Sequence, residues 1–208
     1  MYYDLSHLIQ PDHQKVCGPI QDDEALLLFA VIKVMRMQCI LEIGGLNGYS
    51  AINFCKALGE HGILYTCDIN PINVCAANHR VIQKDAKLIK KNDLDNDELD
   101  MIFFDCHDYQ SQVALFISLS RENVITDKTI LAFHDTGLHP NKFSPQSYLV
   151  NGEELGFVHQ SVERQMVNDF KRIGYDAICF HTQMKRHNDS FPFRHGITLM
   201  AKFRHLTT

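Results

Sequence analysis

The chain has 208 residues, 45% of them hydrophobic and 22% charged, with a formal net charge of −5 and a pI near 6.1. That length fits one domain with a substantial core, and that composition excludes a disordered chain, a collagen or a coiled coil. The acidic balance leaves no basic footprint for nucleic acid, no apolar run approaches the roughly 20 residues of a membrane helix, and the start MYYDLSHLIQ lacks the regions of a signal peptide, so a cytoplasmic protein is expected, with neither nucleic acid nor membrane as partner.

From Asp22 to Met37 the run DDEALLLFAVIKVMRM opens with acids suited to a helix N-terminus and continues without a breaker, which predicts a largely buried helix closing an N-terminal helical extension, 1–37. QCILEIG (38–44) is a short apolar run ended by glycine and reads as a buried strand. GYSAINFCKALGE (48–60) reads as a helix with Ala51, Phe54, Cys55 and Leu58 on one face. GILYTCDI (62–69) reads as a strand. NPINVCAANHRVI (70–82) reads as a helix capped by Asn70 with Pro71 in its first turn. A short strand is expected near AKLIK (86–90), a strand at LDMIFFD (99–105), a helix at SQVALFISLSREN (111–123) and a strand at KTILAFHD (128–135). The segment 136–160 carries two prolines and three glycines with little periodicity, the signature of a lid or binding loop. A helix at 161–173 and two strands, YDAICFHT (175–182) and GITLMAKF (196–203), joined by a long polar connection, end the pattern.

Strand and helix alternate throughout, which predicts an α/β domain with a parallel sheet covered on both faces and ligands at the carboxyl ends of the strands. The seven cysteines are odd in number and widely spaced with no CxxC pair, so they read as buried free thiols.

At that rim, ILEIGGLNGYS (40–50) ends a strand in glycines and feeds a helix N-terminus, a device that brings backbone N–H groups to a ligand. Its glycines run G-G-x-x-G, so neither the dinucleotide fingerprint nor the Walker loop is present. Glu42, Gly44 and Gly48 remain, with Asp68 at the end of the next strand, where a carboxylate can accept from both hydroxyls of a ribose.

LEIGGLNGYSAI together with CDINP resembles the class I S-adenosylmethionine-dependent methyltransferases, in particular the catechol O-methyltransferase type. The resemblance implies a Rossmann-like three-layer sandwich, a seven-stranded mostly parallel sheet whose last strand is antiparallel, in a single methyltransferase domain spanning 1–208. It implies that Gly44, Gly45, Gly48 and Ser50 surround the methionine part of the cofactor, that Glu42 supports the turn, and that Asp68 holds the ribose.

Two later strands also end in acids, MIFFDCHDY with Asp105, His107 and Asp108, and ILAFHDTG with His134 and Asp135. Oxygen ligands from two loops suit a hard divalent ion such as Mg2+. By the resemblance, Asp105 is the first metal ligand and His134 with Asp135 the acidic pair. His134 stands where an acid is usual, and imidazole shifts the preference from Mg toward Zn, Mn or Fe. The family's catalytic lysine, three residues after the first metal Asp, is replaced by Asp108, so His107 and Asp108 become the candidate bases. His139, His159 and His195 would face the pocket if the long loops fold over it.

The expected function is methyl transfer from S-adenosyl-L-methionine to a hydroxyl of a small molecule with divalent-metal assistance, and a homodimer is left open. The alternatives are a protein that binds S-adenosylmethionine without turnover, and a nicotinamide oxidoreductase on a similar sheet.

Overall fold

The computed structural model describes residues 20, 22–95, 98–136, 156–180 and 196–202. Seven strands, β1 (Cys39–Ile43), β2 (Ile63–Asp68), β3 (His79–Gln83), β4 (Met101–Phe104), β5 (Ile130–Phe133), β6 (Tyr175–Phe180) and β7 (Ile197–Lys202), form one sheet in the order β3-β2-β1-β4-β5-β7-β6. Neighbours from β3 through β5 pair in parallel, and β7 runs antiparallel to both β5 and β6. The order reverses between β1 and β4, which makes the carboxyl rim at those two strands the switch point where such sheets bind ligands.

Successive side chains of a strand point to opposite faces, and the core divides accordingly. On one face Ile40, Leu64, Met101, Phe103 and Ala132 pack under α1 (Asp22–Met35) and α2 (Tyr49–Leu58). On the other, Leu41, Cys67, Phe104 and Phe133 pack under α3 (Tyr109–Arg121) and α4 (Gly156–Arg172). Phe54 meets Phe103 edge-on at 5.2 Å and Phe104 stacks on Phe133 at 4.8 Å, contacts worth about 0.5–1.5 kcal/mol each beyond the area they bury. The elements β1, α2, β2, β4, α3, β5, β6 and β7 lie where the sequence pattern puts them, within a few residues.

Two expectations fail in the stretch after β2. No helix forms over 70–82: residues 69–78 are irregular and β3 occupies 79–83, seven residues before the strand expected at 86–90, where a single 3₁₀ turn, Ala86–Leu88, lies instead. The apolar residues of the segment do not make a buried helical stripe; Val74, Cys75 and Ala77 are exposed, while the alternating His79, Arg80, Val81 and Ile82 pair with β2. Helix α4 begins at Gly156, five residues ahead of expectation. Cys39, Cys55 and Cys67 are buried as expected, but Cys75 and Cys179 are exposed. Cys17, residues 137–155 of the expected loop, the 183–195 connection, His139 and His195 lie outside the described residues, as does the side chain of His159.

Candidate active site

The glycine turn is held from below by an acid in the middle of β1. Glu42 is fully buried; it accepts from the Ser50 hydroxyl at the start of α2 and from Thr66 Oγ1 of β2 at 2.7 Å. Burial raises its pKa from 4.5 to about 7, against the lowering effect of the two hydroxyls. His79 Nε2 lies 2.9 Å from the same Thr66 hydroxyl, so α2, β1, β2 and β3 share one buried polar chain. Gly44 sits at φ +91°, and a Cβ there would stand 2.5 Å from the carbonyl oxygen of Asp105. Its lack of a side chain lets the β1 and β4 loops touch.

Asp68 closes the turn. Its Oδ2 accepts from the N–H groups of Gly45 at 3.1 Å and Leu46 at 3.3 Å, and its Oδ1 from that of Asn70 at 2.8 Å. With no helix following, the carboxylate organises two loops and caps none. Gly48, at φ +81° with nothing within 4 Å of a Cβ position, starts α2.

A cleft of about 430 Å3 opens beside this turn, lined by Gly44, Leu46, Asp68 and Ile69 on one wall, Asp85 and Ala86 on a second, and Asp105, His107 and Asp108 on a third. The volume lies in the range of small-molecule sites. Among the expected cofactor residues, Gly44 and Asp68 line it directly, while Glu42 and Ser50 lie buried beneath the turn.

Behind the Asp105 wall, acids and imidazoles alternate. Glu24 of α1 contacts His134 Nε2 at 3.1 Å; His134 Nδ1 faces Asp105 at 3.0 Å and Asp135 at 3.6 Å. His107 Nε2 lies 3.7 Å from both Asp105 and Asp135, and its Nδ1 lies 3.2 Å from Glu163 of α4. Burial alone would push the His134 imidazole down, but Asp105, Asp135 and Glu24 outweigh it and hold its pKa well above the ordinary range. His107 follows the same logic, with Glu163 the strongest of the neighbours that raise it. Two members sit in left-handed backbone, His107 at φ 57° and Asp135 at φ 53°. Such geometry costs on the order of 1–3 kcal/mol per residue and gathers at functional sites.

The structure thus brings Asp105, His134 and Asp135 together, with one donor atom of each inside a 4.8 Å group. The donor set would fit a divalent cation of the Mn or Zn kind: with one bound, Glu24 would accept the Nε2–H of His134 and leave Nδ1, which faces the two aspartates, as the ligand atom. A carboxylate on the far nitrogen is the usual support of a metal-binding imidazole. His107 joins the same array. Asp108 does not: it caps α3, accepting from the N–H groups of Gln110 and Ser111 at 3.0 and 3.4 Å and from the Ser111 hydroxyl at 2.8 Å. Glu24, Glu163 and Asp85 escaped the sequence reading. Glu24 passed as a helix-dipole acid and Glu163 as a mid-helix residue, 110 and 56 positions from their partners. Asp85 follows β3, a strand that the sequence pattern places further along the chain.

Residues 41–136, the stretch that carries all three walls of the cleft, match the family model of a methyltransferase domain. Solved structures share the whole fold. A methyltransferase from Podospora anserina, solved with SAH, is 12% identical with a TM-score of 0.60, over 96% of this chain and 87% of its own. An O-methyltransferase from Bacillus cereus, also with SAH, is 15% identical with a TM-score of 0.59, over 96% and 90%. The O-methyltransferase TomG from Streptomyces achromogenes, involved in tomaymycin synthesis and solved with SAM, is likewise 15% identical with a TM-score of 0.59, over 96% and 89%. No curated protein sequence matches the chain. At these identities the likeness is one of fold, and the family model adds a match over 41–136. Its turn is G-G-x-x-G, not a nicotinamide fingerprint, and over residues 41–136 the chain is similar to a methyltransferase domain.

Proposed function

We propose that the protein transfers a methyl group to a hydroxyl of a small molecule with the help of a divalent cation. The observation that carries this reading is the shared cleft: the Glu42-supported glycine turn and Asp68 form one wall, and the Asp105–His107 end of the acid and imidazole array forms another. When bound, S-adenosylmethionine supplies the methyl group and the cation lowers the pKa of the acceptor hydroxyl.

The chain's own residues then have separate tasks. Asp68 keeps lone pairs beyond its three backbone donors for the ribose hydroxyls. Gly44, Gly45 and Gly48 shape the turn around the methionine part, with Ser50 and Glu42 fixing α2 to β1 beneath it. Ile69 and Ala86 offer apolar walls for a purine, and Asp85 an acceptor for its amino group. Asp105, His134 and Asp135 would hold the cation.

His107 is the better base. Glu163 stands on its Nδ1 side and stabilises the imidazolium formed when Nε2 takes a proton, whereas three donors already occupy the Asp108 carboxylate. Holding oxygen, methyl carbon and sulfur in line is the remaining contribution.

Labelled S-adenosylmethionine, offered with a panel of catechols, phenols and alcohols in Mg2+, Mn2+, Zn2+ or chelator, tests the reading. Turnover should need the cation and vanish in Asp105→Asn and Asp135→Asn. His107→Gln should lose about 10²–10⁴-fold in rate, and Asp108→Asn only a few-fold. Transfer to nitrogen or carbon acceptors alone, indifferent to chelator, would overturn it.

A further inference from the structure

The irregular segment after β2 brings three soft ligands together outside the lining of the cleft. Cys55 projects from α2, Cys75 from the segment itself, and His79 opens β3. Cys55 Sγ and Cys75 Sγ are 3.9 Å apart, Cys75 Sγ lies 3.2 Å from His79 Nδ1, and all three atoms fall within 4.8 Å of one another.

These separations fit a single ion. A tetrahedral zinc with Zn–S near 2.3 Å and Zn–N near 2.0–2.1 Å sets two sulfurs about 3.8 Å apart and a sulfur and a nitrogen about 3.5 Å apart. Rotation of one cysteine side chain covers the difference. A disulfide, by contrast, would need the sulfurs to close to about 2.0 Å.

The hydrogen bonding turns the imidazole the right way. Thr66 Oγ1 donates to Glu42 and therefore accepts from its other neighbour, His79 Nε2, at 2.9 Å. The proton is then on Nε2, and the Nδ1 lone pair points toward Cys75, accepting its backbone N–H at 3.2 Å, a hydrogen bond that an ion bound at Nδ1 would displace. A ligating histidine whose second nitrogen donates to a fixed acceptor is the ordinary arrangement of a metal site.

We propose that Cys55, Cys75 and His79 bind a thiophilic divalent cation of the zinc type, with water as fourth ligand. The site is distinct from Asp105, His134 and Asp135 and has a different chemistry, two sulfurs and a nitrogen against oxygens and a nitrogen. Its structural task is to pin the segment between β2 and β3, where a helix would otherwise order the chain. That segment begins with Ile69 and Asn70 on the cofactor wall. Exposure of Cys75 gives the ion a way in.

Titration of the full-length reduced chain with Co2+ tests the site without reference to activity. Thiolate ligation gives a sulfur-to-cobalt charge-transfer band in the near ultraviolet, which oxygen ligands cannot produce. The band should saturate at one equivalent, be displaced by Zn2+, survive in Asp105→Asn and disappear in Cys75→Ser. Because Cys75 is exposed, Cys75→Ser should keep its circular dichroism; His79→Asn should weaken Co2+ binding at least about tenfold. A reduced chain that takes up Co2+ without the band, or a band unchanged in Cys75→Ser, would overturn the site. So would ready oxidation of Cys55 and Cys75 to a disulfide in a chain whose reduced form shows no band.

Discussion

At the scale of single residues, buried acids carry the tension of this molecule. Glu42 titrates near 7 when folded and near 4.5 when free. Because the folded value is the higher, the stability this group contributes is fully present below pH 4.5 and is lost as pH rises through about 7. At about 1.4 kcal/mol per pH unit the loss is at most about 3.5 kcal/mol. Glu42→Gln is neutral throughout, so urea unfolding at a series of pH values should show a flatter curve than the parent over that window. An unchanged slope would mean that Glu42 is already ionised at low pH in the folded chain. That an acid stood within the apolar run of β1 was plain in the sequence; that it is sealed under Ser50 and Thr66 was not, because burial depends on two elements closing over it. The same holds for Glu24 and Glu163. Nothing local distinguishes them from surface helix acids, and only the sheet brings them to His134 and His107.

Elements were legible where their pattern is strong and local. The apolar runs of β1, β4 and β5 and the stripe of α2 leave one solution each, and the glycine after β1 marks the turn. The β2-to-β3 crossover misled because Asn70-Pro71 is a good helix start and nothing in the next ten residues forbids a helix. Tertiary pairing of His79–Gln83 with β2 decided against it. The turn itself offers a comparison between two glycines. Gly44 and Gly48 both have positive φ, but only at Gly44 would a Cβ collide, 2.5 Å from the Asp105 carbonyl. Gly48→Ala should cost about 1–2 kcal/mol, the backbone strain alone. Gly44→Ala adds an overpacking cost of about 1–3 kcal/mol and forces the β1 and β4 loops apart, so it should also weaken cofactor binding. Chemical denaturation of both variants checks the ranking, and equal losses would contradict the role given to the loop contact.

At the scale of the whole molecule, the switch between β1 and β4 explains why residues from six elements meet. Strands β1 and β2 bring the glycine turn and Asp68, β4 and β5 bring Asp105, His134 and Asp135, and α1 and α4 reach over the two faces with Glu24 and Glu163. The cleft is therefore built from parts that come together only in the folded state, and a ligand of that cleft stabilises the fold by mass action. At a concentration about 100 times its dissociation constant the gain is about 2.7 kcal/mol. For a chain of this size each kcal/mol moves the midpoint about 2–4 °C, so S-adenosylhomocysteine should raise the melting temperature by about 5–10 °C. NAD at the same concentration should leave it unchanged, since the turn lacks the spacing that receives a pyrophosphate. Asp68→Ala removes the acceptor proposed for the ribose and should abolish most of the shift while leaving the unliganded midpoint lower, because Gly45, Leu46 and Asn70 lose their common acceptor. Differential scanning of the two proteins with each ligand separates these effects; a shift by NAD as large as that by S-adenosylhomocysteine would place the adenosine, not the methyl donor, as the whole of what the cleft recognises.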